Sequence, residues 1–84
     1  MSFEFAVELK KARISTRKNQ ADFALSCDVN ASTYKAWESG RAVPNFENFN
    51  KIYDTLVDLD ILVDDLAEEY ERAKLGVLKN VAKR

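Results

Sequence analysis

Apolar residues in segment 19–40 recur at steps of three and four positions, in two short runs that a polar stretch separates. In the first run, Phe23, Ala24 and Cys27 fall on one side of a helix. In the second run, Tyr34 and Trp37 do the same. The pattern therefore predicts two short helices.

The polar residues around these runs are typical of helix ends. Asn19 and Asn30 can cap the two helices, because an asparagine side chain accepts from the free amides of a first turn. Asp28 lies between them and tolerates a left-handed backbone, and Gly40 is suited to end the second helix. The expected helices run over 20–26 and 31–39, joined by a turn at 27–29. This arrangement is the outline of a helix-turn-helix, whose second helix lies in the DNA major groove.

The remaining apolar pattern predicts three further helices. The first runs from about 3 to 15 and buries Phe5, Leu9 and Ala12. Pro44 and Asn45 precede a fourth helix. Its apolar face comprises Phe46, Phe49, Ile52, Tyr53 and Leu56. A fifth helix is expected to begin near Asp58 or Asp60 and to fray at Gly76, with an apolar stripe of Leu59, Leu62, Val63, Leu66, Tyr70, Ala73 and Val77.

The composition restricts both the fold and the chemistry. With 84 residues, two glycines and one proline, the chain suits one domain with few turns, and we predict an all-α fold of five helices. The chain has no histidine, and its one cysteine, Cys27, is expected in the core. We therefore expect no metal, no cofactor and no enzymatic activity. No segment is apolar enough for a membrane span, and Glu4 stands where a signal peptide has a basic residue, so we expect a cytoplasmic protein without membrane contact.

Charge is unevenly distributed, although the net charge is only -1. From Leu9 to Arg41 there are seven basic and three acidic residues, whereas from Asp54 to Glu71 there are eight acidic residues and no basic one. The basic part contains the helix-turn-helix pattern, so we expect it to face DNA and the acidic part to face away. Segment 72–84 is basic again and is interpreted as a solvated tail, with an extra phosphate contact as the alternative.

A set of positions in the chain resembles the Xre-type helix-turn-helix proteins, the family that includes phage Cro and repressor. The resemblance covers roughly residues 5–62 without a gap. Its positions are Arg13, Asn19, Gln20, Phe23, Ala24, Val29, Ser32, Thr33, Trp37, Glu38, Gly40 and Pro44. The resemblance implies a five-helix, phage-repressor-like domain that binds double-stranded DNA, usually as a homodimer, and regulates transcription.

The resemblance also implies roles for individual residues outside the base-reading face. Gln20 matches a glutamine whose side chain and backbone amide bind a DNA phosphate, and a helix N-terminus favours such an anion. Further candidate phosphate contacts are Asn19, Asn30, Arg17, Lys18 and Arg41. Arg13 and Glu38 match an ion pair between the first and third helices, which we expect to be structural and partly buried.

The base-contact positions of the family match Ala31, Ser32, Lys35 and Ala36. Ala31 suits a thymine methyl group, Ser32 is permissive, and Lys35 suits either guanine or a phosphate. The exposed part of this helix has no arginine, glutamine or asparagine, the side chains that discriminate bases by bidentate contacts. We therefore expect specificity to come from DNA shape, from dimer spacing, or from Asn30 and Arg41.

The predicted fifth helix is longer than a small core requires. We expect Tyr70, Ala73 and Val77 to contact a second copy in a homodimer. The chain is then divided into a helix-turn-helix domain at 1–75, with a dimerisation helix from about 59, and a basic tail at 76–84. The predicted function is a transcriptional regulator, a phage or mobile-element repressor that binds an operator as a dimer. The alternative is a protein-interaction module, an antitoxin or antirepressor, whose acidic C-terminal helix binds a protein partner.

Overall fold

A computed structural model describes the backbone of residues 3–82 and the side chains of residues 4–75, and this part contains five helices and no strand. The helices are α1 (Phe3–Ser15), α2 (Gln20–Ser26), α3 (Ala31–Glu38), α4 (Phe46–Asp58) and α5 (Asp64–Ala82). The predicted all-α, five-helix fold is confirmed, and α1, α2 and α3 begin and end within one residue of their expected positions.

Asparagine side chains cap the N-termini of three helices. Asn19 Oδ1 accepts a hydrogen bond from the Asp22 amide at 2.7 Å, ahead of α2. Asn30 Oδ1 accepts from the Ser32 amide at 2.8 Å, ahead of α3, and Asn45 caps α4 in the same way. The predicted caps are therefore confirmed, and each contributes about 1 kcal/mol to helix stability.

Helices α2, α3 and α4 are each followed by a left-handed residue. The φ angle is 60° at Asp28, 83° at Gly40 and 60° at Asp60. After each of them the next amide bonds back to a carbonyl five residues earlier, as the Arg41 amide does to the Ala36 carbonyl at 3.1 Å. These bonds satisfy carbonyls that the helix end leaves open. Glycine adopts this conformation without strain, whereas aspartate adopts it at a small cost.

The predicted start of the fifth helix near Asp58 or Asp60 is wrong, because α5 begins at Asp64. The left-handed backbone of Asp60 turns the chain away from the axis of α4 directly after Leu59. Leu62 then lies in the connecting segment, where it is 89% exposed, and so it is not part of the buried stripe. The apolar spacing across this corner also fits a continuous helix, which is why the periodicity did not detect the turn.

Two groups of aromatic rings fill the core. Beside α3, the ring of Tyr34 packs against Phe23 and Trp37 with centroid distances of 5.5 and 5.9 Å, both edge to face. Between α4 and α5, the rings of Phe49 and Tyr70 stack with centroids 3.9 Å apart. The buried apolar residues are Phe5, Ala6, Leu9, Ala12, Phe23, Ala24, Cys27, Tyr34, Trp37, Phe49, Ile52, Leu56, Val63, Leu66 and Tyr70.

The structure places three further side chains that the sequence analysis assigned. Tyr70, expected to contact a second copy, is 6% exposed, and its hydroxyl donates to the Pro44 carbonyl at 2.9 Å. Ala73, expected to do the same, packs partly against the core of its own chain. Phe46, expected on the buried face of α4, is 69% exposed, because the first turn of α4 borders an open groove beside α5.

The backbone of α5 continues through Gly76 to Ala82, so the expected fraying at Gly76 is not observed. The side chain of Val77, the third expected dimer contact, lies outside the described residues, as do residues 83 and 84 of the expected tail. The division of the chain after residue 75 remains a prediction.

Candidate nucleic-acid interface

The carboxylate of Glu38, the last residue of α3, connects the first three helices. Its side chain is 3% exposed. From the end of α1, Arg13 donates Nε–H to Glu38 Oε2 at 2.6 Å and a second N–H to Oε1 at 3.2 Å. The Tyr34 hydroxyl donates to Oε2 at 2.5 Å, and Gln20 Nε2 donates to Oε1 at 3.0 Å. Each carboxylate oxygen therefore accepts two hydrogen bonds. We call Arg13, Gln20, Tyr34 and Glu38 the Glu38 network.

Within the Glu38 network, Glu38 stays ionised, Arg13 stays positively charged and Tyr34 stays neutral. In these states they hydrogen-bond to one another. Burial alone raises the pKa of Glu38, but the hydrogen bonds from Arg13, Tyr34 and Gln20 outweigh burial and lower that pKa below its usual value. The carboxylate also raises the pKa of Arg13, mainly through their hydrogen bond. Burial, followed by the bond to Glu38, raises the pKa of Tyr34 far above its usual value, so the hydroxyl stays a donor. The structure thus holds Arg13 and Glu38 as a partly buried ion pair, as the sequence analysis expected.

The same network fixes α2 against α3. Arg13 also donates to the Lys18 carbonyl at 2.9 Å, which holds the segment between α1 and α2 beside the end of α3. Gln20 is the first residue of α2, and one hydrogen of its side-chain amide is bound to Glu38. The other hydrogen of that amide, together with the backbone amides of Gln20 and Ala21, remains for an acceptor such as a phosphate, whereas the Asp22 amide is bound to Asn19.

Helix α3 separates a buried face from an exposed one. Trp37 is 2% exposed and packs in the core, as expected from its spacing. On the other side, Ser32 and Lys35 are exposed, while Ala31 and Ala36 are half-buried at the margins of that face. Among the four predicted base contacts, Ser32 and Lys35 thus project furthest from the body of the domain.

Ser39 extends this exposed face and was missed by the sequence analysis. It follows Lys35 by four positions, about one helical turn, and is exposed. Its hydroxyl donates to the Ala36 carbonyl at 2.9 Å and accepts from Arg41 Nε at 3.1 Å. The four-residue step from Lys35 could have identified Ser39, but we assigned it only to the end of the helix.

The predicted phosphate contacts lie along the chain on both sides of α3. Arg17, Lys18, Asn19 and Gln20 lead into α2, Asn30 precedes α3, and Arg41 follows it. All of them are exposed or half-buried. Asn19 and Asn30 use their side-chain oxygens as helix caps, so only their N–H groups remain for a further partner.

Two exposed charged residues near this surface adopt left-handed backbone conformations. The φ angle is 64° at Arg17 and 60° at Asp28, positions where glycine would be less strained. The Asp28 carboxylate is 97% exposed and lies 4.0 Å from Lys51 Nζ. Lys51, which comes from α4, therefore offsets part of the negative charge at the turn between α2 and α3. This contact spans 23 positions of sequence, so local spacing gave no signal for it.

The described side chains contain no group of three or more histidine, cysteine, aspartate or glutamate residues that could hold a metal ion. Among the helices of the described part, none is both long and apolar enough to cross a membrane. Cys27 is buried, and burial raises the pKa of its thiol, which disfavours the reactive thiolate. The candidate site comprises the exposed face of α3, segment 17–20 and Arg41.

Comparison with known proteins gives one family. A family model described as a helix-turn-helix domain matches residues 8–60, more than half of the chain. The matched segment extends from α1 past the end of α4 and does not include α5. Neither the curated proteins nor the solved structures contain a significant match.

Proposed function

This chain belongs to a family of helix-turn-helix domains, and from that membership we propose that it is a DNA-binding regulator of transcription. The observation that carries the proposal is the Glu38 network. It fixes the start of α2 and the end of α3 in one rigid unit, so that the exposed face of α3 and segment 17–20 can contact the same DNA duplex. Arg17, Lys18, Lys35 and Arg41, the exposed or half-buried basic residues around α3, supply the favourable charge.

In the proposed complex, α3 lies in the major groove. Lys35 reaches guanine acceptors or a neighbouring phosphate, and Ser32 hydrogen-bonds to a base edge. Ala31 and Ala36, at the margins of the face, make apolar contacts, for which the thymine methyl group is the natural partner. Because these side chains discriminate bases weakly, DNA shape and the spacing of two sites contribute much of the specificity.

Phosphates on either side of the groove bind to the segments that flank α3. Gln20 and the amides at the start of α2 hold one phosphate, helped by Arg17 and Lys18. Asn19 and Asn30 donate hydrogen bonds from their free side-chain N–H groups to phosphate oxygens. Arg41, which the Ser39 hydroxyl orients, holds a phosphate beyond the end of α3.

The finer proposal is an Xre-type repressor of the phage or mobile-element kind. Such a protein binds a pseudo-palindromic operator as a homodimer, with the two α3 helices about one DNA turn, roughly 34 Å, apart. Occupation of the operator excludes the polymerase. The segment from residue 76 onward, which is basic in sequence, then serves as a tail or as an additional phosphate contact.

Selection of duplexes from a random pool, followed by gel-shift titration, tests the proposal. Lys35→Ala should relax the preference for particular bases, whereas Arg41→Ala should weaken binding evenly across sequences. Lys11→Ala is the matched control, because Lys11 lies beside the acidic corner between α4 and α5. The affinity of the wild-type chain should fall steeply with salt, as phosphate contacts require. Failure to enrich any duplex at low salt, or equal binding by all variants, would reject DNA binding through α3.

One observation favours the second candidate function, a module that binds a protein partner. A groove of about 450 Å³ lies between α1 and the corner that leads into α5. Its rim carries Glu8, Asp60, Asp64 and Asp65, and it also contains the strongly exposed Leu62. These features suit a basic segment with an apolar side chain. Salt-dependent binding to a selected duplex distinguishes the two functions, because a module that binds only a protein partner does not need to bind DNA.

A further inference from the structure

A second groove, of about 470 Å³, lies between the first turn of α4 and the middle of α5. Ala67 and the stacked rings of Phe49 and Tyr70 belong to its lining. Phe46 and Leu75 complete the apolar part of the lining and are 69% and 53% exposed. Two large apolar side chains are thus exposed beside a concave apolar surface, the combination that marks a protein contact.

The charges along α5 indicate which partner fits this groove. Between Asp64 and Glu71 the helix has five acidic residues and no basic one, and between Arg72 and Ala82 it has three basic residues and no acidic one. Two such helices that run antiparallel bring the acidic half of each beside the basic half of the other. The dipoles of two antiparallel helices also attract each other. The helix is therefore complementary in charge to a second copy of itself.

The groove itself has charged residues of both signs that can pair with those of a second copy. Glu71 and Lys74, one acidic and one basic, both line it beside Leu75. Lys74 Nζ lies 5.6 Å from the centre of the Tyr70 ring, within reach of the groove mouth. In a contact with two-fold symmetry, residue i of one copy meets residue j of the other, and j meets i. An acid and a base on one surface satisfy that requirement.

We propose that a second copy of this chain occupies the groove between α4 and α5. The two α5 helices pack antiparallel about a two-fold axis, Phe46 and Leu75 of each copy cover the groove of the other, and Glu71 of each copy faces Lys74 of the other. Tyr70, expected as a dimer contact, belongs to the groove lining that the second copy covers. The role of the pair in operator spacing rests on the proposed function, whereas the pairing itself does not.

Analytical ultracentrifugation of the full chain without DNA tests the pairing. We expect wild type to form dimers, and Leu75→Glu or Phe46→Ser to raise the dimer dissociation constant by at least about tenfold, as for central apolar contacts of an interface. Leu62→Glu is the matched control, because Leu62 is more exposed than Leu75 and belongs to the other groove. It should leave the constant within about twofold of wild type. Circular dichroism verifies that all variants keep their helix content.

A charge exchange tests the orientation. Glu71→Lys gives a groove rim with two basic residues, and Lys74→Glu gives one with two acidic residues. Each variant alone should dimerise about two- to thirtyfold more weakly than wild type, because the two-fold axis removes two pairs of exposed charges at once. An equimolar mixture should recover wild-type affinity by forming mixed dimers. Equal dimerisation of both single variants and wild type would overturn the proposed pairing of Glu71 with Lys74.

The outcomes separate this inference from the proposed function. A wild-type chain that sediments only as a monomer up to about 100 µM, a concentration at which even weak pairs form, overturns the dimer whether or not DNA binds. An equal effect of Leu62→Glu and Leu75→Glu overturns the assigned surface. If the dimer forms and depends on Leu75, but no duplex is selected, the inference holds and the DNA-binding proposal fails.

Discussion

Replacement of Glu38 by glutamine keeps the size of the side chain and removes its charge. In the folded chain the change leaves the Arg13 side chain, 12% exposed, without its carboxylate. It also converts one acceptor oxygen into an NH2 group that faces other donors. We expect Glu38→Gln to lower the free energy of unfolding by about 3 kcal/mol, the lower limit of the cost for a fully buried ion pair, because this pair is partly buried.

The number of hydrogen bonds that Glu38 accepts leads to the same loss in the free energy of unfolding. Arg13 supplies two of the four, and Gln20 and Tyr34 supply one each. The glutamine oxygen can serve the donors on one side only, so about two bonds are lost, at about 1.5 kcal/mol each for bonds to a charged group. For a chain of 84 residues the total stability is about 4 to 13 kcal/mol, so the loss is a large fraction of it.

Urea unfolding monitored by tryptophan fluorescence measures this loss. Trp37 is the single tryptophan, it is buried, and it precedes Glu38 in α3. A change of about 3 kcal/mol lowers the midpoint by about 2 to 3 M urea at a slope of about 1 to 1.5 kcal/mol/M. The corresponding decrease in Tm is roughly 12 to 24 °C. Asp54→Asn, which removes an exposed charge from α4, is the control and should change stability by less than about 0.5 kcal/mol.

The effect of Glu38→Gln should also depend on pH. Because the folded chain lowers the pKa of Glu38 below its ordinary value of 4.5, the ionised side chain contributes stability above that value. The contribution is lost as the pH falls through the pKa of the folded state. Wild type and variant should therefore differ fully at neutral pH and converge in acid. A loss below about 0.5 kcal/mol at neutral pH, or a difference that persists unchanged in acid, refutes the reasoning.

Three further predictions concern other parts of the molecule. Asp28→Gly should raise the free energy of unfolding by about 0.5 to 1 kcal/mol, because φ is 60° there, and a decrease in urea unfolding would contradict this. Tyr70→Phe should lower it by about 1 kcal/mol through loss of the bond to the Pro44 carbonyl, and an unchanged midpoint would mean that the bond contributes nothing. Cys27 should react with a thiol reagent only as the chain unfolds, since it is buried with a raised pKa, and rapid labelling without urea would disprove this.

The helices of the first half could be predicted because their ends have a local chemical signature. Asn19, Asn30 and Asn45 bond to amides two or three residues ahead, and Gly40 follows a helix in the conformation that glycine favours. The corner at Asp60 uses the same backbone geometry as Gly40. It was missed because aspartate is compatible with both a helix and a left-handed residue, and the apolar spacing around it fits both.

Side-chain positions that depend on tertiary contacts could not be predicted to the same degree. Tyr70 and Phe46 both follow the helical spacing of their neighbours, yet Tyr70 reaches Pro44 in the core and Phe46 remains exposed. The distinction depends on where α5 crosses α4, which spacing within one helix does not encode. For the same reason the sequence indicated the pair of Arg13 and Glu38 only through resemblance, and gave no indication of the contact between Lys51 and Asp28.

The two faces of α3 have a consequence for how this protein can evolve. The residues that hold the helix in place, Tyr34, Trp37 and Glu38, are all on the inner side, and Ser32, Lys35 and Ser39 are exposed. Substitutions at exposed positions of this kind usually change stability by less than about 0.5 kcal/mol. Single substitutions on the outer face can therefore accumulate one after another while the fold is kept. Under the proposed function, the DNA sequence that α3 binds can then change through intermediates that keep the fold.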